Sequence, residues 1–309
     1  MITKHRVEPL ILQQLKHLKN RSDLPEENLN YLYNLEKGWE GERRFDSVLE
    51  EISSDCLILN DLLLEVNNTT FQIDSLLICQ QAVYLYEVKN YEGDFYMEGD
   101  RFYAASGSEI KNPIQQLKRS ESLLRQLLQQ NGYKFTISAS LVFVNPEFTL
   151  YQAPLNSPII FPTQLNRYMK KISNNTQKLN QKHHKLAKHL ASLHSIDNSF
   201  AQLPPFDFES LKKGVVCPEC CSFLKSVNWN FVCDRCGYEE RAYVGVKRSV
   251  EELILLLPKH KITTRTVHEW CGRIRSRESL KDILCKSYQL VSRGQSSYYI
   301  IRKEARARE

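Results

Sequence analysis

Three charged residues set inside two otherwise apolar runs limit the folds open to this chain more than any other feature. Phe71–Ile78 and Ala82–Lys89 are rich in Ile, Leu, Val and Tyr and are separated by a few polar residues, which predicts a strand hairpin. Asp74 interrupts the first run. Glu87 and Lys89 stand two apart on the second, so the period of two points them to the same side of the sheet. An ionised group buried without a partner costs several kcal/mol, so two acids and a base in these surroundings require mutual pairing or a cation.

The flanking pattern supplies the fold class. The chain up to about Glu51 reads as helical, with a helix start at Leu24-Pro25-Glu26-Glu27 and with Glu42, Phe45, Asp46 and Leu49 on one face at i, i+3, i+4 and i+7. A helix is predicted from Ile114 to about Gln130, closed by Asn131-Gly132, and then a buried strand over Phe135–Val144. Strands followed by a helix and another strand imply an α/β protein with a mixed sheet flanked by helices. Thr163 to about Leu193 is a polar helical stretch. Its His183, His184, His189 and His194 stand among lysines without a carboxylate cluster, poor company for a metal ion. The boundaries expected from these shifts are a helical segment at 1–34, the α/β domain at 35–150, a helical connector at 151–205, a cysteine-bearing module at 212–241 and a basic module at 242–309.

Composition narrows the class. At 309 residues, with 42% hydrophobic and 25% charged residues, the chain is that of a globular protein rather than a disordered or fibrous one. Its longest aliphatic run, Leu253–Leu257, is five residues against the roughly 20 that a membrane helix needs, and no secretory leader is evident. The expectation is a cytoplasmic protein without a membrane partner. Charge is unevenly placed. From Ala242 onward 15 Lys and Arg face 7 Asp and Glu, a net +8 in a chain whose total is +6, so the preceding residues are net −2. Such an end suits an anionic partner or a solvated basic face.

Nine cysteines, five of them between Cys217 and Cys236, point to a metal rather than to disulfides. Cys217-Pro218-Glu219-Cys220 and Cys233-Asp234-Arg235-Cys236 form two Cys-x-x-Cys knuckles, and four thiolates close a tetrahedral structural Zn²⁺ site. The segment resembles a zinc ribbon, with Cys217, Cys220, Cys233 and Cys236 as ligands. Cys221 is the neighbour that could replace Cys220. Asn228–Val232 would be a hairpin strand of the ribbon.

The basic end reads as a helix over Val250–Leu257, a break, a second helix capped by Thr263 or Thr264, and strand-like Tyr298–Ile301, which suggests a helix-turn-helix or winged-helix module. Arg265, His268, Arg273, Arg275 and Arg277 are then the residues expected near phosphates or base edges.

For Asp74, Glu87 and Lys89 two readings stand. They hold a hard divalent ion such as Mg²⁺ with the lysine beside developing negative charge, or Glu87 and Lys89 are exposed residues of an edge strand. Four strings in order bear on the choice: Gly38-Trp39-Glu40-Gly41-Glu42, Gln72-Ile73-Asp74, Tyr86-Glu87-Val88-Lys89-Asn90-Tyr91-Glu92-Gly93 and Asn112-Pro113-Ile114-Gln115-Gln116. Together, over about Leu35 to Val144, they resemble the nuclease-related domain (NERD) family, which is similar to the PD-(D/E)xK, restriction-endonuclease-like nucleases.

The resemblance implies that Asp74 and Glu87 bind Mg²⁺ or Mn²⁺, that Lys89 is the catalytic lysine, that Glu42 is the helical glutamate completing the metal or water site, and that Gln116 lies near the scissile phosphate. Ser75 departs from the histidine that follows the aspartate in many relatives. The implied activity is metal-dependent phosphodiester hydrolysis in DNA, with the ribbon and basic end holding nucleic acid. The alternative is a non-catalytic DNA-binding or assembly protein that keeps the nuclease fold. No Gly-Lys dipeptide occurs, which excludes a P-loop and with it a nucleotide cofactor bound that way. A homo-oligomer is compatible with either reading.

Overall fold

A computed structural model describes residues 1–52, 55–174, 178–195, 203–292, 294 and 297–302. The chain divides into two compact units, Met1–Pro9 with Tyr33–Phe200 and Leu10–Leu32 with Ala201–Glu309. Its first elements are β1 (Ile2–Lys4), α1 (Leu10–Arg21) and α2 (Glu26–Glu50), so residues 1–34 are shared between the units.

The first unit continues through β2 (Leu57–Val66), β3 (Thr69–Ile78), β4 (Val83–Lys89), β5 (Gly93–Glu98), β6 (Arg101–Ala104), β7 (Glu109–Ile110), α3 (Pro113–Gln130), β8 (Ile137–Phe143), β9 (Phe148–Tyr151), β10 (Ile159–Ile160), α4 (Pro162–Asn174) and α5 (Gln181–Leu193). Six strands form one mixed sheet in the order β1-β2-β3-β4-β8-β10. The β2–β3 and β3–β4 pairs are antiparallel and the β1–β2, β4–β8 and β8–β10 pairs parallel. A smaller sheet, β7-β6-β5-β9, is tied to the first by aromatic packing, with Phe143 and Phe148 stacked at 3.8 Å.

Alternation along the strands divides the core in two. Leu85, Leu141 and Phe143 enter one apolar cluster with Leu117 and Leu124 of α3 and Leu186 and Leu190 of α5. Leu77, Tyr86, Val88 and Val142 enter the other with Phe45 and Leu49 of α2 and Met169 and Ile172 of α4. Strands buried on both faces explain the near-continuous apolar runs, and a mixed sheet flanked by helices is what the sequence pattern predicts.

The second unit adds β11 (Lys225–Val227), β12 (Asn230–Val232), β13 (Glu239–Arg241), α6 (Ala242–Leu256), α7 (Thr264–Trp270), α8 (Arg277–Ser287), β14 (Gln289–Val291) and β15 (Tyr298–Ile300). β11, β12 and β13 form an antiparallel sheet, and α6 begins directly after β13. Two expectations change here. α6 starts eight residues before Val250, because Gly245, Val246 and Ser249 continue its buried face; a Cβ at Gly245 would crowd Phe231 and Glu240. A further helix, α8, stands between α7 and the β14–β15 hairpin, capped by Ser276, whose hydroxyl accepts from the Ser279 amide.

No helix among the described residues is long and apolar enough to cross a membrane.

Candidate active site

The β3–β4 ladder stops at Ser75 opposite Tyr86, and the next positions along are Asp74 and Glu87. Asp74 Oδ2 accepts from the Val88 amide at 2.7 Å, so a side chain holds a strand where backbone pairing ends. On the other edge of β3 the ladder to β2 skips one step between Asn60–Ser75 and Leu62–Ile73, where Asp61 takes a left-handed φ of 53°. Through this irregularity Ile73 and Leu76 face the same apolar cluster. Asp74 sits at the break.

Glu87 is 1% exposed, and its Oε1 accepts from Lys89 Nζ at 2.7 Å. Glu42, on α2, accepts from Arg6 at 2.6 Å, and Asp46, one turn on, takes the same guanidinium through both oxygens at 2.8 and 3.0 Å. Arg6 donates further to the Asp74 carbonyl at 2.6 Å and the Ser75 hydroxyl at 3.1 Å. α2 reaches this position because residue 41 is glycine: a Cβ there would overlap Asn90 and lie 3.3 Å from Val144.

The acids repel one another. Burial, then the charge of Asp74, pushes Glu42 up to about 8 and Glu87 up to about 7. Burial likewise raises Asp74, against the pull of Lys89 and the Val88 amide. Burial works against the charge of Lys89, but Glu87 and Asp74 outweigh it and its pKa rises. Oxygen donors of this kind, buried and short of positive charge, fit a hard divalent ion.

Residues 37–144 match the nuclease-related domain family. The match covers about a third of the chain and contains Glu42, Asp74, Glu87, Lys89 and Gln116. No curated protein and no solved structure matches the chain.

Within the nuclease-related domain the structure brings Glu87 and Lys89 into contact and sets Asp74 and Glu42 in electrostatic reach of each other. Gln116 is half-buried on the first turn of α3, behind the Asn112 cap. Among the described residues it makes no hydrogen bond to the acids. Sequence reading missed Arg6, which lies outside the matched segment, and Lys111, whose charge pulls on Glu87. It also missed Asp46 and Ser75 as the other partners of Arg6.

Two of the four histidines of the polar stretch have structural uses. His183 Nδ1 accepts from the Asn180 amide, closing a capping box, and His194 Nδ1 accepts from the Leu63 amide.

In the second unit the Sγ atoms of Cys217, Cys220, Cys233 and Cys236 all lie within 4.8 Å of one another, a group able to hold a metal ion and fitting a zinc ribbon. Among the described residues no other set of three or more Cys, His, Asp or Glu is gathered so tightly. Cys221 is exposed in a left-handed turn, outside the group.

The basic residues scatter. Arg265 and Arg273, both exposed, reach Glu269 at 3.4 and 4.0 Å. Arg275 turns its guanidinium over the Phe231 ring at 5.7 Å and the Trp229 ring at 6.0 Å. His268 is half-buried on α7, and Arg277 is exposed at the first position of α8.

Proposed function

We propose that the nuclease-related domain hydrolyses phosphodiester bonds in DNA, with Asp74 and Glu87 holding Mg²⁺ or Mn²⁺. One observation carries this reading: buried carboxylates of two adjacent strands repel each other while a lysine amine is held against one of them. A divalent ion bound there supplies Lewis-acid activation of the phosphate and lowers the pKa of a bound water. Lys89, fixed by Glu87, presents positive charge to negative charge developing on the phosphate. Glu42, raised by burial and by the charge of Asp74, is assigned to completing the metal or water site beside Asp74. Gln116, at the start of α3, is assigned to the side where the helix dipole favours an anion.

In the second unit the ribbon cysteines hold structural zinc, and the basic module binds the nucleic-acid backbone. Arg265, Arg273 and Arg277 are its exposed candidates, whereas His268 and Arg275 would serve only after leaving their half-buried positions.

The test incubates supercoiled and linear DNA with the zinc-loaded chain in Mg²⁺, in Mn²⁺ or without either, beside Asp74→Asn and Lys89→Ala. Divalent-dependent cleavage falling at least about 100-fold in both variants is expected, the size of a lost electrostatic contact at a reacting centre. DNA binding without cleavage in any arm would leave the binding-protein alternative in its place.

A further inference from the structure

The guanidinium of Arg6 stands inside the acid cluster. Its side chain is 3% exposed, and its donors are directed to Glu42 Oε2, both oxygens of Asp46, the Asp74 carbonyl and the Ser75 hydroxyl. None of these partners is Glu87, which Lys89 serves. The four carboxylates therefore fall into two groups. Asp74 and Glu87 face the lysine side, while Glu42 and Asp46 are bonded by a cation that the chain itself supplies.

We propose that Arg6 occupies the place of a second metal ion, so that this site takes one divalent cation rather than two. Geometry supports the assignment: the carboxylates that Arg6 bonds, Glu42 and Asp46, are not the one that Lys89 bonds, Glu87. Chemistry supports it as well. Two-metal sites clamp the attacking and leaving oxygens with ions about 3.5–4 Å apart, which requires a second set of free carboxylate oxygens beside the first. Here both oxygens of Asp46 and Oε2 of Glu42 are already engaged in charge-assisted bonds to a planar fork. Arg6 is a positioning residue in this account. It is delivered by the parallel pairing of β1 with β2, from outside the matched domain.

The inference rests on Asp74 and Glu87 binding a divalent ion, and the experiment separates the two. Zinc-loaded full-length chain is titrated calorimetrically with Mn²⁺, and Mn–Mn coupling is sought by electron paramagnetic resonance, with Asp74→Asn/Glu87→Gln as the background. One Mn²⁺ in the wild type, two coupled ions in Arg6→Gln and a return to one in Arg6→Gln/Glu42→Gln are expected. Arg6→Lys, which keeps a cation, should stay at one.

Two ions in the wild type overturn the inference while leaving the metal reading intact, and this holds whether or not Arg6→Gln folds. A single ion in folded Arg6→Gln overturns it too. No ion above background in the wild type removes the metal reading itself.

Discussion

Asp74 Oδ2 accepts a hydrogen bond from the Val88 amide at 2.7 Å, across the point where β3 and β4 cease to pair. The bond anchors a carboxylate 7% exposed beside Glu87, so the strands are held by a group that simultaneously repels its neighbour. Asp74→Asn keeps an acceptor for Val88 and deletes the charge. In zinc-loaded chain free of Mg²⁺ and Mn²⁺, at pH 8, Tm should rise by about 2–4 °C, the shift that about 1 kcal/mol produces in a unit of this size. Mn²⁺ binding should vanish. A Tm several degrees lower would mean that the acids do not oppose one another.

The same repulsion sets a pH dependence. Glu42 and Glu87 lie at about 8 and about 7, against an ordinary value of 4.5. Between pH 4.5 and 8 the folded chain thus keeps protons that the unfolded chain has released, and stability falls as pH rises. Their contribution is complete below pH 4.5 and is lost through pH 7 to 8. Without divalent ions, the unfolding midpoint of the wild type should fall relative to Glu42→Gln/Glu87→Gln from pH 5 to 8.5. Mn²⁺ affinity should tighten over the same range, since the ion displaces protons. A flat affinity would contradict both assignments.

What the sequence revealed follows the range of its signals. Glu87 and Lys89 are two apart on one strand, and Glu42 and Asp46 are four apart on one helix, so local periodicity places each pair. Cysteine spacing did the same for the four clustered cysteines. Arg6 carries no such signal, because a parallel strand pairing some fifty residues away brings it to Glu42. α8 had a signal that went unread: Ser276 as cap and Leu280, Ile283 and Leu284 at helical spacing. The start of α6 was hidden by Val244, Gly245 and Val246, poor helix formers, of which Gly245 is required by the close approach of Phe231 and Val246 joins the buried cluster.

Gly41 carries a prediction of its own. Ala at this position puts a methyl group into Asn90 and against Val144, so α2 must move away from β4 and take Glu42 with it. Overpacking of this kind costs about 1–3 kcal/mol. Gly41→Ala should lower Tm and weaken Mn²⁺ binding together, whereas Gly38→Ala, where a Cβ meets nothing within 4 Å, should leave Mn²⁺ binding unchanged. Equal effects on Mn²⁺ binding would show that the close approach does not position the site.

The two knuckles of the ribbon differ in the residue that follows the second cysteine. Gly237 follows Cys236 with φ 76°, and Cys221 follows Cys220 with φ 62°, so Cys221 fills a backbone position suited to glycine. Cys221→Gly should keep one zinc per chain and stabilise the second unit by about 1 kcal/mol, the cost of a left-handed residue with a side chain. Cys220→Ser should lose the metal. Zinc analysis of purified protein decides, and metal loss from Cys221→Gly would move the ligand from Cys220 to Cys221.

Arg21 and Glu252 make the corresponding wager for the second unit. Arg21 is fully buried, grips both Glu252 oxygens at 2.7 and 2.5 Å, donates to the carbonyls of Lys212 and Gly214, and lies 3.9 Å over the Trp270 ring. Burial alone would raise the Glu252 pKa, but Arg21 and His17 overcome it and the pKa falls below its ordinary value. That stability is present above about pH 4.5 and is lost as pH drops through the folded value. Arg21→Met strands a buried carboxylate and should cost about 3–5 kcal/mol. Arg21→Met/Glu252→Met removes both charges and should cost less than the single change, as two apolar chains replace a desolvated pair. Denaturant titration of the four proteins in the cycle measures the difference. A double variant less stable than Arg21→Met alone would show that Glu252 stabilises this core through a partner other than Arg21, such as His17 at 3.2 Å.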